Sequence, residues 1–100
     1  MSVSSSISGT KLTINISGRF DFAAHKDFRE AIDSISSNHI NSVVVDMRTT
    51  DYVDSSALGM LLMLKNQMGD SKDAISLINA KPEVKKILEI ANFGQLFTLA

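Results

Sequence analysis

Asp54-Ser55-Ser56-Ala57-Leu58-Gly59 lies where a predicted strand gives way to a predicted helix. Upstream, Val43-Val44-Val45 is a short apolar run, and downstream the apolar residues of Leu58–Met68 recur at helical spacing. A hydroxyl at a helix start ordinarily caps it, by accepting hydrogen bonds from backbone N–H groups that lack partners within the helix. The same N–H groups and the helix dipole also favour a phosphate. The position of Ser55 therefore leaves two interpretations open, a helix cap and a phosphorylation switch.

The composition predicts one globular domain that does not bind nucleic acid. The chain has 100 residues, of which 44% are hydrophobic and 21% charged, as in ordinary folded domains. Its net charge is −1, whereas a nucleic-acid binder needs a basic stripe to neutralise phosphates. The absence of cysteine excludes disulfides and thiol sites, and the longest apolar run, Met60–Leu64, is too short to span a bilayer. We expect a single cytoplasmic domain over residues 1–100, without a signal peptide.

Apolar periodicity predicts four strands and three helices. The strands are Val3–Ile7, Lys11–Ile16, Asn41–Met47 and Ala74–Asn79. Ser17–Gly18 is expected to end the second strand, and the unbroken run Val43–Val45 indicates burial on both faces of a sheet. The serine-rich start leaves a flexible tail as the alternative to the first strand.

The helices are predicted from about Phe22 to Ser37, from the Asp54–Ser55 junction to a C-cap near Gly69, and from Pro82 onward. Phe93, Leu96 and Phe97 are expected to close the bottom of the core. The order β-β-α-β-α-β-α describes an α/β sandwich with a mixed sheet and covering helices. Sites in such sheets tend to lie at the carboxyl ends of strands, and Asp54-Ser55 follows one.

An enzyme would need groups that the sequence does not supply. His25 and His39 are the only histidines, and neither has neighbours at a metal-binding spacing. Ser55 lacks the flanking glycines of a nucleophile elbow, although distant residues can also assemble a triad. The sequence contains no glycine-rich phosphate loop and no dinucleotide fingerprint. We therefore expect no catalytic residue, no cofactor and no metal ion.

Acidic residues gather in the sequence around the junction, at Asp21, Asp46, Asp51 and Asp54. The helix dipole accounts for Asp54 alone, at about 0.3–1 kcal/mol. A divalent cation would need a recognisable ligand spacing, and none is present. If the strand ends converge, a phosphate on Ser55 would add roughly −1.5 to −2 charges to a negative region. The helix end would tolerate such a charge and an acidic or apolar partner surface would not, which is the physical basis of a switch provided that a kinase exists.

The second predicted helix offers a separate indication of a binding surface. At about 100° per residue, its apolar face is lined by Ala57, Leu61, Leu64 and Met68, with Leu58 and Leu62 beside it. Met63 falls outside this arc, among polar residues. An exposed methionine is either a chance exposure or part of an adaptable protein-binding surface.

Three segments in register carry a family resemblance. Ile16–Asp21 matches a strand that ends in Gly-x-x-Asp, and Gly94–Phe97 matches the pattern that closes the last helix. Val43–Asp46 followed by Tyr52–Gly59 matches the pattern hydrophobic-x-Asp-Ser-Ser-Gly-Leu-Gly, with Ala57 in place of the commoner glycine. Over nearly its whole length the chain resembles single-domain STAS proteins, the bacterial anti-sigma-factor antagonists. The resemblance implies a STAS-like α/β sandwich, with a mixed sheet of four to five strands covered by three to four helices.

The resemblance also implies partner switching. In this scheme the unphosphorylated antagonist binds a GHKL-type serine kinase that acts as an anti-sigma factor, and a PPM-type phosphatase reverses the phosphorylation. The acceptor is the first serine after the aspartate, here Ser55, and Ser56 is the less favoured acceptor. Asp21 lies near the acceptor and shapes recognition by the kinase. With Met63 from the helix pattern, the expected partner-binding residues are Asp21, Asp54, Ser55, Ser56, Gly59, Met60 and Met63.

Members of the family differ in output. Some control targets other than sigma factors, sense stress in larger assemblies or support lipid transport, and the sequence does not separate these outcomes. A non-phosphorylated sensor or lipid-pathway subunit is the second functional hypothesis, and an enzyme is the third. A monomer is the expected oligomeric state.

Overall fold

The strands of the computed structural model, which describes residues 2–69 and 74–99, form one sheet. They are β1 (Ser2–Ser8), β2 (Lys11–Phe20), β3 (Ser42–Val53), β4 (Ile75–Ile78) and β5 (Thr98–Leu99). Their order in the sheet is β1-β2-β3-β4-β5. β1 runs antiparallel to β2, and every other neighbouring pair is parallel. The α/β class with a mixed sheet is confirmed, and the short β5 adds a strand to the four read from periodicity.

The helices lie between the parallel strands and are α1 (His25–Ser37), α2 (Ser55–Met68) and α3 (Pro82–Ile90). Short 3-10 turns at Phe22–Ala24 and Phe93–Gln95 precede α1 and follow α3. Gly69 ends α2 at a φ of 89°, and its N–H donates to the Lys65 carbonyl at 2.9 Å. Glycine tolerates this positive φ, which confirms the predicted C-cap.

One face of the sheet carries the hydrophobic core. The buried strand residues alternate with more exposed ones, and all lie on this face: Leu12, Ile14, Ile16, Val43, Val45, Met47, Ile75 and Leu77. Buried residues of all three helices belong to the same cluster. On the opposite face, the paired residues Thr13, Val44 and Ser76 are only half-buried.

The prediction that the valine run is buried on both faces is therefore wrong for Val44. The reason is topological. Successive right-handed crossovers that advance in one direction across a sheet place their helices on the same side. A second layer of helices would require the strand order to reverse, and in the described sheet it does not.

β2 and β3 are longer than the sequence predicts. Gly18 does not end β2 but lies inside it, at a φ of 80° beside a register shift. The pairing shifts twice, between Asn15 and Ser17 and between Gly18 and Arg19, and each shift adds one residue on the β3 side. Such bulges increase the local twist and redirect the strand. Met47, Thr50 and Val53 are consequently buried at intervals of three instead of two.

Thr50 holds the strands together at the first shift. Its side chain is fully buried, and its hydroxyl donates to the Ile16 carbonyl at 2.8 Å. The exposed Thr49 hydroxyl reaches the same carbonyl at 3.4 Å, which is long for an O–H···O bond. Thr50 therefore adds a side-chain hydrogen bond between β2 and β3 at the first register shift.

We expect Thr50→Val to lower the free energy of unfolding by about 1–2 kcal/mol, because valine fills the same space without the hydroxyl. Thr49→Val is the matched control and should change stability by less than about 0.5 kcal/mol, as surface substitutions usually do. Urea unfolding followed by circular dichroism measures both. Equal losses in the two variants would contradict the role given to Thr50.

Candidate functional site

The carboxyl ends of β2 and β3 meet at one edge of the sheet. Phe20 pairs with Val53, and the Asp54 N–H donates to the Phe20 carbonyl at 3.3 Å. Asp21 and Asp54 are the residues that follow this last pair, so they leave adjacent strands at the same level. The two register shifts make this alignment possible, because β3 reaches the edge with two more residues than β2.

Both aspartates cap the element that follows them. An Asp21 carboxylate oxygen accepts from the Ala23 N–H at 3.0 Å, at the start of the 3-10 turn. An Asp54 carboxylate oxygen accepts from the Ala57 N–H at 2.9 Å, at the start of α2. Aspartate is favoured here both as a cap and by the positive end of the helix dipole.

Asp54, and not Ser55, is therefore the N-cap of α2. Ser55 is the first residue of the helix, and its side chain is exposed, whereas Ser56 is half-buried. The interpretation of Ser55 as a helix cap is wrong, because the Asp54 carboxylate occupies that position. Ser55 is thus an exposed residue directly after the Asp54 cap, and Asp21 leaves the neighbouring strand at the same edge of the sheet.

The four aspartates do not form one cluster. Asp46 accepts from the Arg48 N–H at 3.0 Å and from the Asn79 side-chain amide at 3.3 Å. It precedes Val53 by seven strand residues, which is roughly 20 Å along the strand. Asp51 forms an ion pair with Lys81. The register brings Asp21 and Asp54 to the same edge, whereas Asp46 lies in the middle of the sheet and Asp51 pairs with Lys81.

The described ranges 2–69 and 74–99 contain no group of three or more acidic or histidine side chains arranged to hold a metal ion. Within the same ranges, no helix combines the length and the apolar character needed to cross a membrane.

α2 presents an exposed row of residues that begins at Ser55. Gly59, Leu62 and Asn66 follow at intervals of four, three and four residues, and each is exposed. These intervals keep residues on one side of a helix. Ser55 and Gly59 therefore share a surface, as expected for two of the partner-binding candidates.

Two other candidates on α2 do not lie on that surface. Met60 is 2% exposed and belongs to the core, so the expectation that it contacts a partner is wrong. Met63 is half-buried and packs against the core instead of standing free in solvent. α2 contacts both α1 and β3, so its buried arc is wider than the one-sided stripe assumed from periodicity.

Gly59 has no role within the fold that requires glycine. A β-carbon added there would meet no atom within 4 Å, and its φ lies outside the range that L-residues avoid. Glycine inside a helix is less favourable than alanine by about 1 kcal/mol. The chain therefore carries a helix-weakening residue on the surface that also bears Ser55.

The exposed aromatic side chains of Phe22 and Tyr52 near this edge were missed in the sequence, and Leu62, expected beside the apolar face of the second helix, is also exposed. Phe22, Tyr52 and Leu62 are 71%, 40% and 39% exposed. The Arg19 guanidinium lies 4.6 Å from the centre of the Tyr52 ring, and its Nε lies 3.7 Å from an Asp21 oxygen. Phe22 could have been found, because it falls outside the apolar stripe of the first helix. Tyr52 could not, since no strand was predicted there.

Comparison with known proteins places this geometry in a family. The family model described as Mlab, STAS domain matches residues 3–99. A STAS-domain containing protein of Pseudomonas aeruginosa (strain UCBPP-PA14) is 52% identical over 95 residues, which are 95% of this chain and 93% of that protein.

Solved structures show the same fold at low sequence identity. The unphosphorylated form of the anti-sigma factor antagonist SpoIIAA has a TM-score of 0.84 at 17% identity, over 99% of this chain and 88% of that one. The phosphorylated form of SpoIIAA, a Bacillus cell fate determinant, has a TM-score of 0.76 at 18% identity, over 99% and 91% of the two chains. Sequence and fold agree, and the chain belongs to the STAS domain family.

Proposed function

We propose that this protein is a phosphoregulated anti-sigma-factor antagonist, a non-enzymatic regulator that exchanges partners when Ser55 is phosphorylated. The observation that carries the proposal is the exposed Ser55 hydroxyl at the first position of α2, where Asp54 already supplies the cap. The hydroxyl is accessible to a kinase, and its modification does not remove the hydrogen bond that starts the helix. The likeness to SpoIIAA, an anti-sigma factor antagonist, supports the same role.

The switch follows from charge. A phosphate adds roughly −1.5 to −2 charges at neutral pH. The fold tolerates it, because a helix N-terminus favours negative charge. A partner that covers Ser55 does not tolerate the phosphate. In the complex, the phosphate would lie with the carboxylates of Asp21 and Asp54 in an interface that excludes water. Phosphorylation therefore weakens the complex without needing a change of fold.

The partners are of two kinds. A GHKL-type serine kinase with anti-sigma activity binds the unphosphorylated protein and phosphorylates Ser55, with Ser56 as the less favoured acceptor. A PPM-type phosphatase restores the hydroxyl, and Asp21 shapes recognition of the site. The protein acts as a cytoplasmic monomer, and its downstream client is a sigma factor.

The acceptor is tested by phosphosite mapping. Purified GHKL-type kinases from the same genome are incubated with the protein and ATP, and the modified residue is located by mass spectrometry. We expect phosphate on Ser55 in the wild type and in Ser56→Ala, and none in Ser55→Ala. Modification at another residue alone would overturn the assignment of Ser55.

The switch itself is tested by binding. We expect Ser55→Ala to retain affinity for the kinase partner and Ser55→Asp to lose at least about tenfold, which corresponds to about 1.4 kcal/mol. Isothermal titration calorimetry measures both. Equal affinities together with a co-purified lipid or small molecule would favour the alternative, a sensor or lipid-pathway subunit that works without phosphorylation. If the two variants bind equally and a pathway without a sigma factor responds to the protein, the electrostatic mechanism is contradicted and the client is not a sigma factor.

The cap can be separated from the charge at Asp54. We expect Asp54→Ala to lower the free energy of unfolding by about 1 kcal/mol, because the Ala57 N–H loses its acceptor. Asp54→Asn should stay within about 0.5 kcal/mol of the wild type, because asparagine caps as well as aspartate. Thermal unfolding measures the difference. Equal losses in the two variants would show that the carboxylate charge, and not the cap, stabilises the start of α2.

A further inference from the structure

We infer that β1 pairs antiparallel with the β1 strand of a second copy of this chain, so that two five-stranded sheets join into one continuous sheet. The inference concerns the edge of the sheet formed by Ser2–Ser8 and does not depend on the phosphorylation of Ser55. The occupant of this edge is a second copy because the strand is complementary to itself.

β1 is an open edge. It is the first strand of the described sheet, and it pairs with β2 without a shift from Ser2 to Ser8. The other side of such a regular edge strand presents backbone N–H and C=O groups that can pair with another chain. Proteins usually protect an edge with charged side chains, proline or a bulge. The sequence Ser2–Ser8 contains no charged residue and no proline, and its pairing with β2 contains no bulge.

The sequence of β1 reads the same in both directions when valine and isoleucine are counted as equivalent. Val3-Ser4-Ser5-Ser6-Ile7 has Ser5 at its centre, with a serine and then a β-branched apolar residue on each side. Two antiparallel copies in register at Ser5 therefore place Val3 of each chain opposite Ile7 of the other. Ser5 then faces its own counterpart across a two-fold axis, as a symmetric dimer requires.

This register brings apolar side chains together on one face. Within the chain, Val3 and Ile7 pair with Ile16 and Leu12, so they point to the face that carries the core. Val3 packs against that core, whereas Ile7 is 42% exposed. In the dimer each Ile7 gains a valine as its cross-strand neighbour, and pairs of β-branched residues stabilise a sheet. A shift of two residues in either direction would instead place Val3 or Ile7 opposite Ser5.

The fold limits the assembly to two copies. The opposite edge of the described sheet is β5, which comprises two residues, Thr98–Leu99, and is too short to accept a strand of seven. The two-fold contact also occupies the free side of β1 in both chains at once. The contact is therefore a closed dimer and not the start of a fibre.

The pairing leaves the proposed switch free. Ser55 follows β3, and β2 separates β3 from β1. The spacing of strands puts β3 roughly 10 Å from β1, so each chain keeps its Ser55 away from the contact and remains the unit of the proposed function. One added strand pair buries little apolar surface compared with a standard interface, so the copies separate on dilution.

Sedimentation velocity over about 10 µM to about 1 mM measures the association. We expect the wild type to shift from monomer towards dimer across this range. Ser5→Lys should raise the Kd of the dimer at least about fivefold, because two like charges then lie opposite each other. Asn66→Lys is the matched control, since it adds the same charge at an exposed position of α2 and should change the Kd by less than about twofold.

A mixture of variants tests the register. Ser5→Lys and Ser5→Glu should each associate poorly alone, whereas an equimolar mixture should form a dimer, because unlike charges then face each other across the axis. Ile7→Thr keeps a β-branched side chain in the strand and should raise the Kd at least about twofold through the lost apolar pair. Circular dichroism checks that each variant folds.

Each alternative result counts against the inference. A wild type that stays monomeric at about 1 mM would overturn it. A dimer that Ser5→Lys and Ile7→Thr leave unchanged would assign the association to another surface, and species larger than a dimer would show that the contact is not closed. A mixture that associates no better than its components would contradict the register at Ser5. The binding of a kinase to the Ser55 variants is a separate measurement, so the proposed function stands or fails independently.

Discussion

The parallel pairing of β2 with β3, carried as far as Phe20 and Val53, is the constraint on which the site depends. Without the two extra residues in β3, the strands would end at different levels, and Asp54 would not follow its strand at the same edge as Asp21. Thr50 donates to the Ile16 carbonyl where the pairing becomes irregular, so the buried hydroxyl has an acceptor and links the two strands at the first shift. The shifts in register thus position the starts of the 3-10 turn after β2 and of α2 after β3.

A repeated local solution follows from that alignment. At the end of each strand an aspartate leaves the sheet in an extended conformation and accepts a hydrogen bond from an N–H two or three residues later. The carboxylates accept hydrogen bonds from the backbone, so the residues that follow them, Phe22 and Ser55, are not needed as caps. The Phe22 ring and the Ser55 hydroxyl are both exposed, and each directly follows a capping aspartate. The capping chemistry creates a surface whose side chains are available to another molecule.

Periodicity predicted the class of the fold and the presence of each longer element, because the buried residues of the helices, of β2, of β4 and of the first half of β3 are apolar. It failed where the period changed. Met47, Thr50 and Val53 are buried at intervals of three, so the second half of β3 resembled a loop, and Gly18 resembled a strand end. Met60 was misplaced because a helix that packs against a sheet and another helix buries more than one stripe. Bulges and packing partners depend on the tertiary structure, so they are difficult to predict from a single sequence. The importance of Ser55 came from a motif and not from periodicity.

Under the proposed function, phosphorylation of a single serine controls a protein interface. The chain has the fold of SpoIIAA in both its unphosphorylated and its phosphorylated form, so the fold itself is compatible with either state. A switch that leaves the fold intact must act through the interface alone, where each 1.4 kcal/mol changes affinity about tenfold. A phosphate in water loses little, whereas a phosphate enclosed against an apolar surface loses its hydration, and this desolvation is unfavourable unless the charge is paired. Apolar contacts around a phosphorylated side chain therefore increase the penalty of phosphorylation in an interface.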